Sequence, residues 1–288
     1  LDPDGPGDQR VEEAGSLIFD TAPLTEPLNI LGAPIVDLEL SSDKSVAMIA
    51  VCLSEVLPDG GVTRISYGLL NLTHRDSSEN PELLTPGETY SIKVQLNEAG
   101  HKFSKGNRIR IAISNVYWPI AWPSPERSTL SITPNTATLM LPTRVGREID
   151  NQLVPFDEPQ GSPPLNKTIL KEPEYKWNID RDMITGFVTQ HQWFDEGKTV
   201  YNLHDGWTNS STHNEYHSIN PDDPLSAKLD ITWTEEYERG AWQVSSQTRT
   251  IFTSTATHFH IEAQLEARQG EEIVHTEKWT KDFPRNHN

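Results

Sequence analysis

Apolar and polar residues alternate along much of this sequence, which is the pattern of β-strands with one buried face. The alternation is clearest in SIKVQL, around Ile92 and Val94, and in RIRIAIS, around Ile109 and Ile111. Similar runs occur at VDLEL, VAMIAVCL, ISYGLLNL, STLSI and TATLML, with turn sequences such as PDGG between them. No segment of comparable length carries a sustained apolar repeat of about 3.6 residues, so helices should be short and few. The pattern predicts an all-β fold whose first half is an antiparallel sandwich.

The segment 147–173 breaks this pattern. Five prolines in it would interrupt a ladder of backbone hydrogen bonds: Pro155, Pro159, Pro163, Pro164 and Pro173. We interpret 147–173 as a linker that follows a first domain at 1–146. We expect the linker to run over the surface of that domain, because the apolar side chains of Leu153, Val154 and Phe156 could pack against it. We call this predicted contact the apolar foothold.

Alternation resumes beyond the linker, in LDITW and in FHIEAQLEA. Turn-like pairs that end in Gly197, Gly240 and Gly270 separate the strand-like runs at intervals typical of a meander. We therefore predict a second, antiparallel β-meander domain at 174–288.

The chain is strongly acidic: Lys and Arg number 24 against 42 Asp and Glu, which gives a formal net charge of -18. This charge repels phosphate backbones, so we expect no nucleic-acid partner. No apolar stretch approaches the roughly 20 residues that a membrane span needs, so we expect no membrane partner. The acidic start LDPDGPGDQR lacks the basic and apolar parts of a secretory signal. This slightly favours the cytoplasm, although a removed upstream portion would erase such evidence.

Neither cysteine nor serine is predicted to be a nucleophile here. The single Cys52 lies in the apolar run VAMIAVCL, so it can form no intrachain disulfide and is interpreted as a small buried side chain. The nearest match to the Gly-x-Ser-x-Gly elbow is RISYG, which begins with Arg64 and makes Ser66 a strand residue. Ser41 and Lys44 have the spacing of a serine–lysine pair, but they lie at a turn between strands. We predict no catalytic residue in this chain.

Four of the histidines have spacings that suggest metal binding. His258 and His260 project from one face of a predicted strand, but two ligands are not a site. His213 and His217 are four residues apart in HNEYH, where no glutamate follows the first histidine and the polar surroundings make a poor helix. We interpret all four as solvated or hydrogen-bonded side chains, and we predict no metal and no cofactor.

The first residues have the spacing of a calcium loop. Asp2, Asp4, Gly7 and Glu13 match positions one, three, six and twelve of the twelve-residue pattern. Position five is Pro6, which has no side-chain ligand, and no flanking helices are predicted. Asp2, Asp4 and Glu13 are therefore weak calcium candidates, and an acidic turn before the first strand is the plainer interpretation.

The loop YWPIAWPSP, which begins at Tyr117, is the most unusual local feature. Its three prolines exclude a central strand, and its three aromatic residues supply a large apolar area. Tyr117, Trp118 and Trp122 are the candidate binding residues. Three roles stay open for them: docking against another domain, closing one end of the sandwich, and stacking on a sugar.

The first half also carries short stretches whose order and spacing are hard to obtain by accident. They are GPGDQ at 5–9, FDTAPLTEP at 19–27, GAP at 32–34, LPDG at 57–60, NLTHR at 71–75, PG at 86–87, and the YWPIAWPSP loop. Together they resemble the carboxyl-terminal domain of the CocE/NonD hydrolases, a group that includes X-prolyl dipeptidyl-peptidases, cocaine esterase and α-amino-acid ester hydrolases. GNRIR is also similar, although a histidine is usual where this chain has Asn107. The residues from about 173 onward resemble the extra region of longer members.

The resemblance implies a jelly-roll sandwich, like that of galactose-binding modules, for the first domain. It also implies that the Ser, Asp and His of the catalytic triad belong to an upstream α/β-hydrolase domain of a serine hydrolase acting on esters or X-Pro peptides. The implied role of this chain is non-catalytic: packing on that domain, walling part of the substrate cleft, and forming homo-oligomer contacts. The alternative, from another class, is a carbohydrate-binding module that uses Trp118 and Trp122 as a stacking platform.

Overall fold

The computed structural model describes residues 7–202 and 205–288. The chain forms two compact units: unit 1 extends to Phe156 and takes in His287–Asn288, and unit 2 is Asp157–Asn286. Apart from strands, the described residues contain short 3-10 helices at Glu12–Gly15, Leu72–His74 and Glu148–Gln152. In the same ranges, no helix is long and apolar enough to cross a membrane. The all-β prediction is confirmed.

The described part of unit 1 has ten strands, and all of them except Leu17–Asp20, Leu28–Gly32 and Ala99–Phe103 coincide with alternating runs of the sequence. They are β1 (Leu17–Asp20), β2 (Leu28–Gly32), β3 (Ile35–Ser42), β4 (Met48–Val56), β5 (Val62–Asn71), β6 (Thr89–Gln95), β7 (Ala99–Phe103), β8 (Arg108–Ser114), β9 (Leu130–Ile132) and β10 (Thr138–Met140). The run RIRIAIS is β8 from its first residue to its last, and VDLEL lies within β3. The interpretation of period two as strand is therefore confirmed in this unit.

Two antiparallel sheets build the core of unit 1. One has the strand order β1-β8-β4-β5, and the other has the order β10-β3-β6, with β9 also paired to β3. A small third sheet joins β2 to β7. A single apolar cluster holds buried side chains from both large sheets, including Leu38 of β3, Leu53 of β4, Val94 of β6 and Ile111 of β8. Because apolar burial is the main favourable term in folding, this shared core stabilises the sandwich.

Close backbone contact joins β5 to the end of β6. A Cβ atom on Gly68 would lie 2.5 Å from the carbonyl oxygen of Gln95, so only glycine fits at this position of β5. Next to it, the Ser66 hydroxyl donates to the carbonyl oxygen of Asn97 at 2.6 Å. The backbone amide of Asn97 in turn donates to the carbonyl oxygen of Tyr67 at 2.9 Å.

Unit 2 is one long antiparallel sheet. Its strands are β11 (Lys167–Lys171), β12 (Glu174–Arg181), β13 (Val188–Tyr201), β14 (Trp207–Asn220), β15 (Asp223–Arg239), β16 (Trp242–Ser254), β17 (His258–Gln269) and β18 (Glu272–Pro284). From β13 to β18 each strand pairs with the next one along the chain, and both β11 and β12 pair with β13. The meander prediction is confirmed. Within the described ranges β18 pairs with neither β11 nor β12, so the sheet is open.

The segment 147–173 differs from its prediction as a linker in two respects. Strand β11 lies inside it and pairs with β13, so the second sheet begins earlier than the sequence indicated. The prolines lie outside this short strand, whose pairing has one register shift between Ile169 and Lys171, and the composition alone did not reveal the strand. The predicted apolar foothold is wrong: Leu153, Val154 and Phe156 are all exposed. An apolar side chain is buried only where a surface packs against it, and the sequence did not supply that surface.

Candidate interaction site at the aromatic loop

The aromatic loop, defined as residues 115–129, connects β8 to β9, and Tyr117 fixes its start to the sheet that contains β8. The Tyr117 hydroxyl accepts a hydrogen bond from Nη1 of Arg64 at 2.6 Å and one from the thiol of Cys52 at 3.6 Å. Its ring stacks on Tyr67 with the ring centroids 5.3 Å apart. Since Arg64 and Tyr67 lie on β5 and Cys52 lies on β4, the loop is anchored to two adjacent strands.

Burial controls the ionisation of this anchor. Burial raises the pKa of the Tyr117 hydroxyl and that of the Cys52 thiol. Both groups are therefore protonated at neutral pH, and a buried thiol is a poor nucleophile. The interpretation of Cys52 as a small buried side chain is confirmed.

The middle of the aromatic loop presents aliphatic surface. Trp118 and Trp122 contact each other edge to face, with ring centroids 5.3 Å apart and an interplanar angle of 72°, and both are partly buried. Val116 and Ile120 are each 41% exposed. The tryptophans thus support one another, and Val116 and Ile120 add exposed apolar area beside them. This arrangement suits contact with another apolar surface.

A buried carboxylate ties the first 3-10 helix to the sheet. Glu13 accepts a hydrogen bond from the Ser54 hydroxyl at 2.8 Å and pairs with Nη1 of Arg110 at 3.3 Å. Arg110 also donates to both carboxylate oxygens of Asp20, at 2.7 and 2.9 Å, and these hydrogen bonds lower the pKa of Asp20. Glu13 thus has a structural partner at each oxygen.

The calcium hypothesis needs Asp2 and Asp4 as well as Glu13. Asp2 and Asp4 lie outside the described residues, so the hypothesis stays a prediction. Across the described ranges, no group of three or more His, Cys, Asp or Glu side chains is placed to hold a metal ion.

A second buried carboxylate, Glu55, was not identified from the sequence. It accepts hydrogen bonds from the amide side chain of Asn107 at 2.7 Å and from the backbone amide of Ser104 at 2.9 Å, and His101 Nε2 lies 2.8 Å away. Burial raises the pKa of Glu55, but these hydrogen bonds outweigh it and hold the pKa below its usual value. The Asn107 amide therefore helps to orient the Glu55 carboxylate.

The serine candidates both lie in strands. Ser66 is buried in β5 and Ser41 lies in β3, and within the described residues neither strand is followed by an α-helix. The ammonium group of Lys44 pairs with Glu126 at 3.2 Å. These positions agree with the interpretation of Ser66 as a strand residue.

Of the four histidines considered in the sequence, His217, His258 and His260 lie within hydrogen-bond distance of a polar side chain, and His213 lies 3.7 Å from Glu215. His260 Nδ1 lies 2.6 Å from a carboxylate oxygen of Asp282. His213 and His217 lie on β14, a strand, so their four-residue spacing puts both on the same face with Glu215 between them. Glu215 Oε2 lies 3.0 Å from His217 Nε2, and this hydrogen bond lowers the pKa of Glu215. The sequence HNEYH predicts this cluster of His213, Glu215 and His217 only if it is interpreted with the two-residue period of a strand, and not with the period of a helix.

Unit 1 is a two-sheet sandwich with an anchored loop and unit 2 is an open meander sheet, so the chain is a pair of all-β units. Its candidate serines lie in strands, and burial raises the pKa of its cysteine thiol. Comparison with known families gives the particular assignment: the chain belongs to the family of the X-Pro dipeptidyl-peptidase C-terminal non-catalytic domain, whose model matches residues 2–180. The resemblance to CocE/NonD hydrolases is thereby confirmed.

Relatives with similar sequences are esterases. The chain is 28% identical over 117 residues to cocaine esterase from Rhodococcus sp. (strain MB1 Bresler), an alignment that covers 40% of this chain and 20% of that protein. It is 32% identical over 124 residues to a putative serine esterase from Mycobacterium bovis, covering 37% of this chain and 20% of that protein. The chain therefore spans about a fifth of the length of the curated relatives it matches.

Two solved structures show partial similarity. An α-amino acid ester hydrolase is 26% identical, with a TM-score of 0.46 over 48% of this chain and 27% of that one. A CocE/NonD family hydrolase from Staphylococcus aureus is 14% identical, with a TM-score of 0.39 over 44% of this chain and 30% of that one.

Proposed function

We propose that this chain is the carboxyl-terminal accessory part of a CocE/NonD-type serine hydrolase and that it packs on an upstream α/β-hydrolase domain. In this role it walls part of the substrate cleft and contributes to homo-oligomer contacts. The observation that carries the proposal is the aromatic loop, whose base is fixed at Tyr117 while Val116 and Ile120 are exposed. Exposed apolar side chains on a fixed base lose little conformational entropy on docking, so they bind a protein surface efficiently.

The relatives support the same role. They are named as esterases, and most of their length lies outside the region that this chain matches. Hydrolysis of an ester or of an X-Pro peptide bond would then belong to the intact protein. A cytoplasmic location, slightly favoured by the sequence, stays a prediction.

The docking role is tested by charging the exposed tip of the loop in the intact protein. We expect the double variant Val116→Asp/Ile120→Asp to lower kcat/KM for p-nitrophenyl acetate by about tenfold or more, because two carboxylates would be buried at the domain contact. Leu31→Asp is the matched control, since Leu31 is an exposed apolar residue of β2 outside the loop. The isolated chain should not hydrolyse the ester. Full activity of the double variant, or turnover by the chain alone that a serine-directed phosphonate abolishes, would contradict the proposal.

The carbohydrate-binding alternative uses the same loop. Sugar stacking needs an open ring face, and the edge-to-face contact of Trp118 with Trp122 occupies part of that surface. Binding to a sugar array that is lost in Trp122→Ala would favour this alternative over docking. Light scattering over a dilution series tests the homo-oligomer contact, which a monomer at every concentration would exclude.

A further inference from the structure

Strand β18 forms one edge of the unit 2 sheet. In the described part of the chain β18 pairs only with β17, so the backbone groups on its other side point away from the sheet. All 13 of its residues are exposed. The opposite edge is different, because it is divided between the shorter strands β11 and β12. A long exposed edge of this kind is a template on which one further strand can pair.

The apolar face of unit 2 reaches this edge. From His275 to Pro284 the pairing with β17 keeps a constant register, so the odd-numbered residues of this run share one face. The register pairs continue that face across β16 to β15, and we call it the apolar face of unit 2. Its members include Leu229, Ile231 and Trp233 of β15, Ile261 and Leu265 of β17, and Trp279 and Phe283 of β18. Trp279 lies opposite the small Ala263 and is 44% exposed.

Two features limit the part of the edge that another strand can use. At one end the register with β17 shifts between the partners His275 and Ile273, which leaves Val274 in a bulge. At the other end Pro284 has no N–H group to donate. The run 275–283 between these limits has a regular backbone, and Trp279 is its middle residue.

Symmetry restricts how a second copy can pair with this run. A two-fold axis perpendicular to the sheet continues each face of one copy into the same face of the other, so one residue has to lie opposite its own copy. With Trp279 on the axis, the whole run 275–283 pairs. An axis at Lys278 would instead put two lysines directly opposite each other, which is unfavourable. An axis at Thr280 would extend the pairing to Pro284.

The charges of β18 fit the register that has Trp279 on the axis. Glu277 of each copy then lies opposite Lys281 of the other copy, which gives two ion pairs. Glu277 is available for this contact, because its side chain is 49% exposed and its His275 partner is 3.5 Å away. No two like charges face each other in this register, since Lys278 lies opposite Thr280.

We infer that two copies of this chain pair edge to edge through β18, as antiparallel strands with a two-fold axis at Trp279. The backbone groups of 275–283 supply the hydrogen bonds of the new ladder, and the two Trp279 side chains pack together on the apolar face. The two sheets thereby become one continuous sheet. The inference rests on the homo-oligomer part of the proposed function and locates that contact, and it does not depend on the aromatic loop.

Charge reversal tests this inference on the full chain. We expect sedimentation velocity over a dilution series to show a reversible dimer of the original chain. Glu277→Lys puts two pairs of like charges across the axis, so we expect it to raise the dimer dissociation constant about tenfold or more. The double variant Glu277→Lys/Lys281→Glu restores opposite charges, and its dissociation constant should return to within about threefold of the original value.

Glu272→Lys is the matched control, because it makes the same change of charge on β18 but lies outside 275–283. The net charge of the chain is -18, so both single variants reduce the general repulsion between copies, and only a local clash weakens the dimer. A dimer that Glu277→Lys leaves unchanged, or that the folded double variant does not restore, would overturn the inference but leave the proposed homo-oligomer contact to another surface. A monomer at every concentration would overturn both and leave the docking role to the loop variants.

Hydrogen exchange tests the same contact without any variant. Amides of 275–283 that point away from β17 should exchange about tenfold or more slowly at concentrations at which the chain is dimeric than at those at which it is monomeric. Amides of β12, at the other edge of the sheet, should exchange at one rate in both states. Equal exchange of the β18 amides in the two states would overturn the inference, even if a charge variant did not fold.

Discussion

Unit 1 and unit 2 are both antiparallel β structures, yet they bury their apolar side chains to different extents. In unit 1 two sheets share one core, and every residue of β4 is buried. In unit 2 a single open sheet keeps its apolar face partly solvated, and aromatic residues such as Trp233 and Trp279 are exposed. The same alternation of polarity thus gives a buried core shared by two sheets in one case and a partly exposed apolar face in the other. Stability is expected to be concentrated in unit 1, and binding capacity in the exposed surfaces of both units.

The largest difference should come from matched leucine truncations. Leu38→Ala removes a side chain from the shared core of unit 1, and we expect it to cost about 3–5 kcal/mol. Leu229→Ala, on the apolar face of unit 2, should cost about 1 kcal/mol, because the side chain is already partly solvated. Hydrogen exchange of β3 and β15 amides measures each unit separately. Equal losses of unfolding free energy in the two variants would contradict the prediction that stability is concentrated in unit 1.

A smaller effect is expected from acid, and it can be compared at one carboxylate of each unit, Glu55 in unit 1 and Asp230 in unit 2. The pKa of Glu55 is lowered in the folded state, so its stabilising contribution is present above the unfolded value of about 4.3. That contribution is lost as the pH falls through the lowered folded pKa. We expect Glu55→Gln to weaken the loss of unit 1 stability between pH 7 and pH 3, measured by urea unfolding.

The acid comparison in unit 2 uses Asp230. Hydrogen bonds from Arg249 lower the pKa of Asp230, but that arginine is exposed and solvent screens the pair. Asp230→Asn should therefore change the acid response less than Glu55→Gln does. A larger change in acid response for Asp230→Asn than for Glu55→Gln would contradict this prediction.

The smallest effect is expected at two tyrosine hydroxyls. Tyr117→Phe removes the hydrogen bonds to Arg64 and Cys52, and we expect a loss of about 1 kcal/mol together with altered tryptophan fluorescence from the aromatic loop. Tyr216→Phe is the control, because Tyr216 is exposed and its hydroxyl has only a 3.5 Å contact with Asn214. The same cost at both positions would mean that Tyr117 does not anchor the loop.

Much of the local structure could be predicted from the sequence. Period-two alternation predicted β8 and β3, and the glycine turns predicted the meander of unit 2. Strand β11 was missed, because five residues between prolines carry too little pattern to distinguish a strand from a linker. The predicted contact of Leu153 and Phe156 with the first domain was wrong for another reason. Burial of an apolar side chain is favourable, but the sequence does not show whether a protein surface lies next to it.

The candidate sites, too, could be predicted from the sequence only in part. Aromatic and proline content marked the loop at Tyr117, whereas its partners Arg64 and Cys52 are 53 and 65 residues away along the chain. The sequence HNEYH contains both Glu215 and His217, but their contact follows only from the strand geometry, and their surroundings depend on the neighbouring strands.

The sequence by itself determined where most of the strands run, which side chains share a face of a strand, and the family to which the chain belongs. Only the tertiary structure decided which faces are covered, and it brought Cys52, Arg64 and Tyr117 together. The physical reason is that alternation is a local property of an extended backbone, whereas burial depends on what long-range packing places against each face.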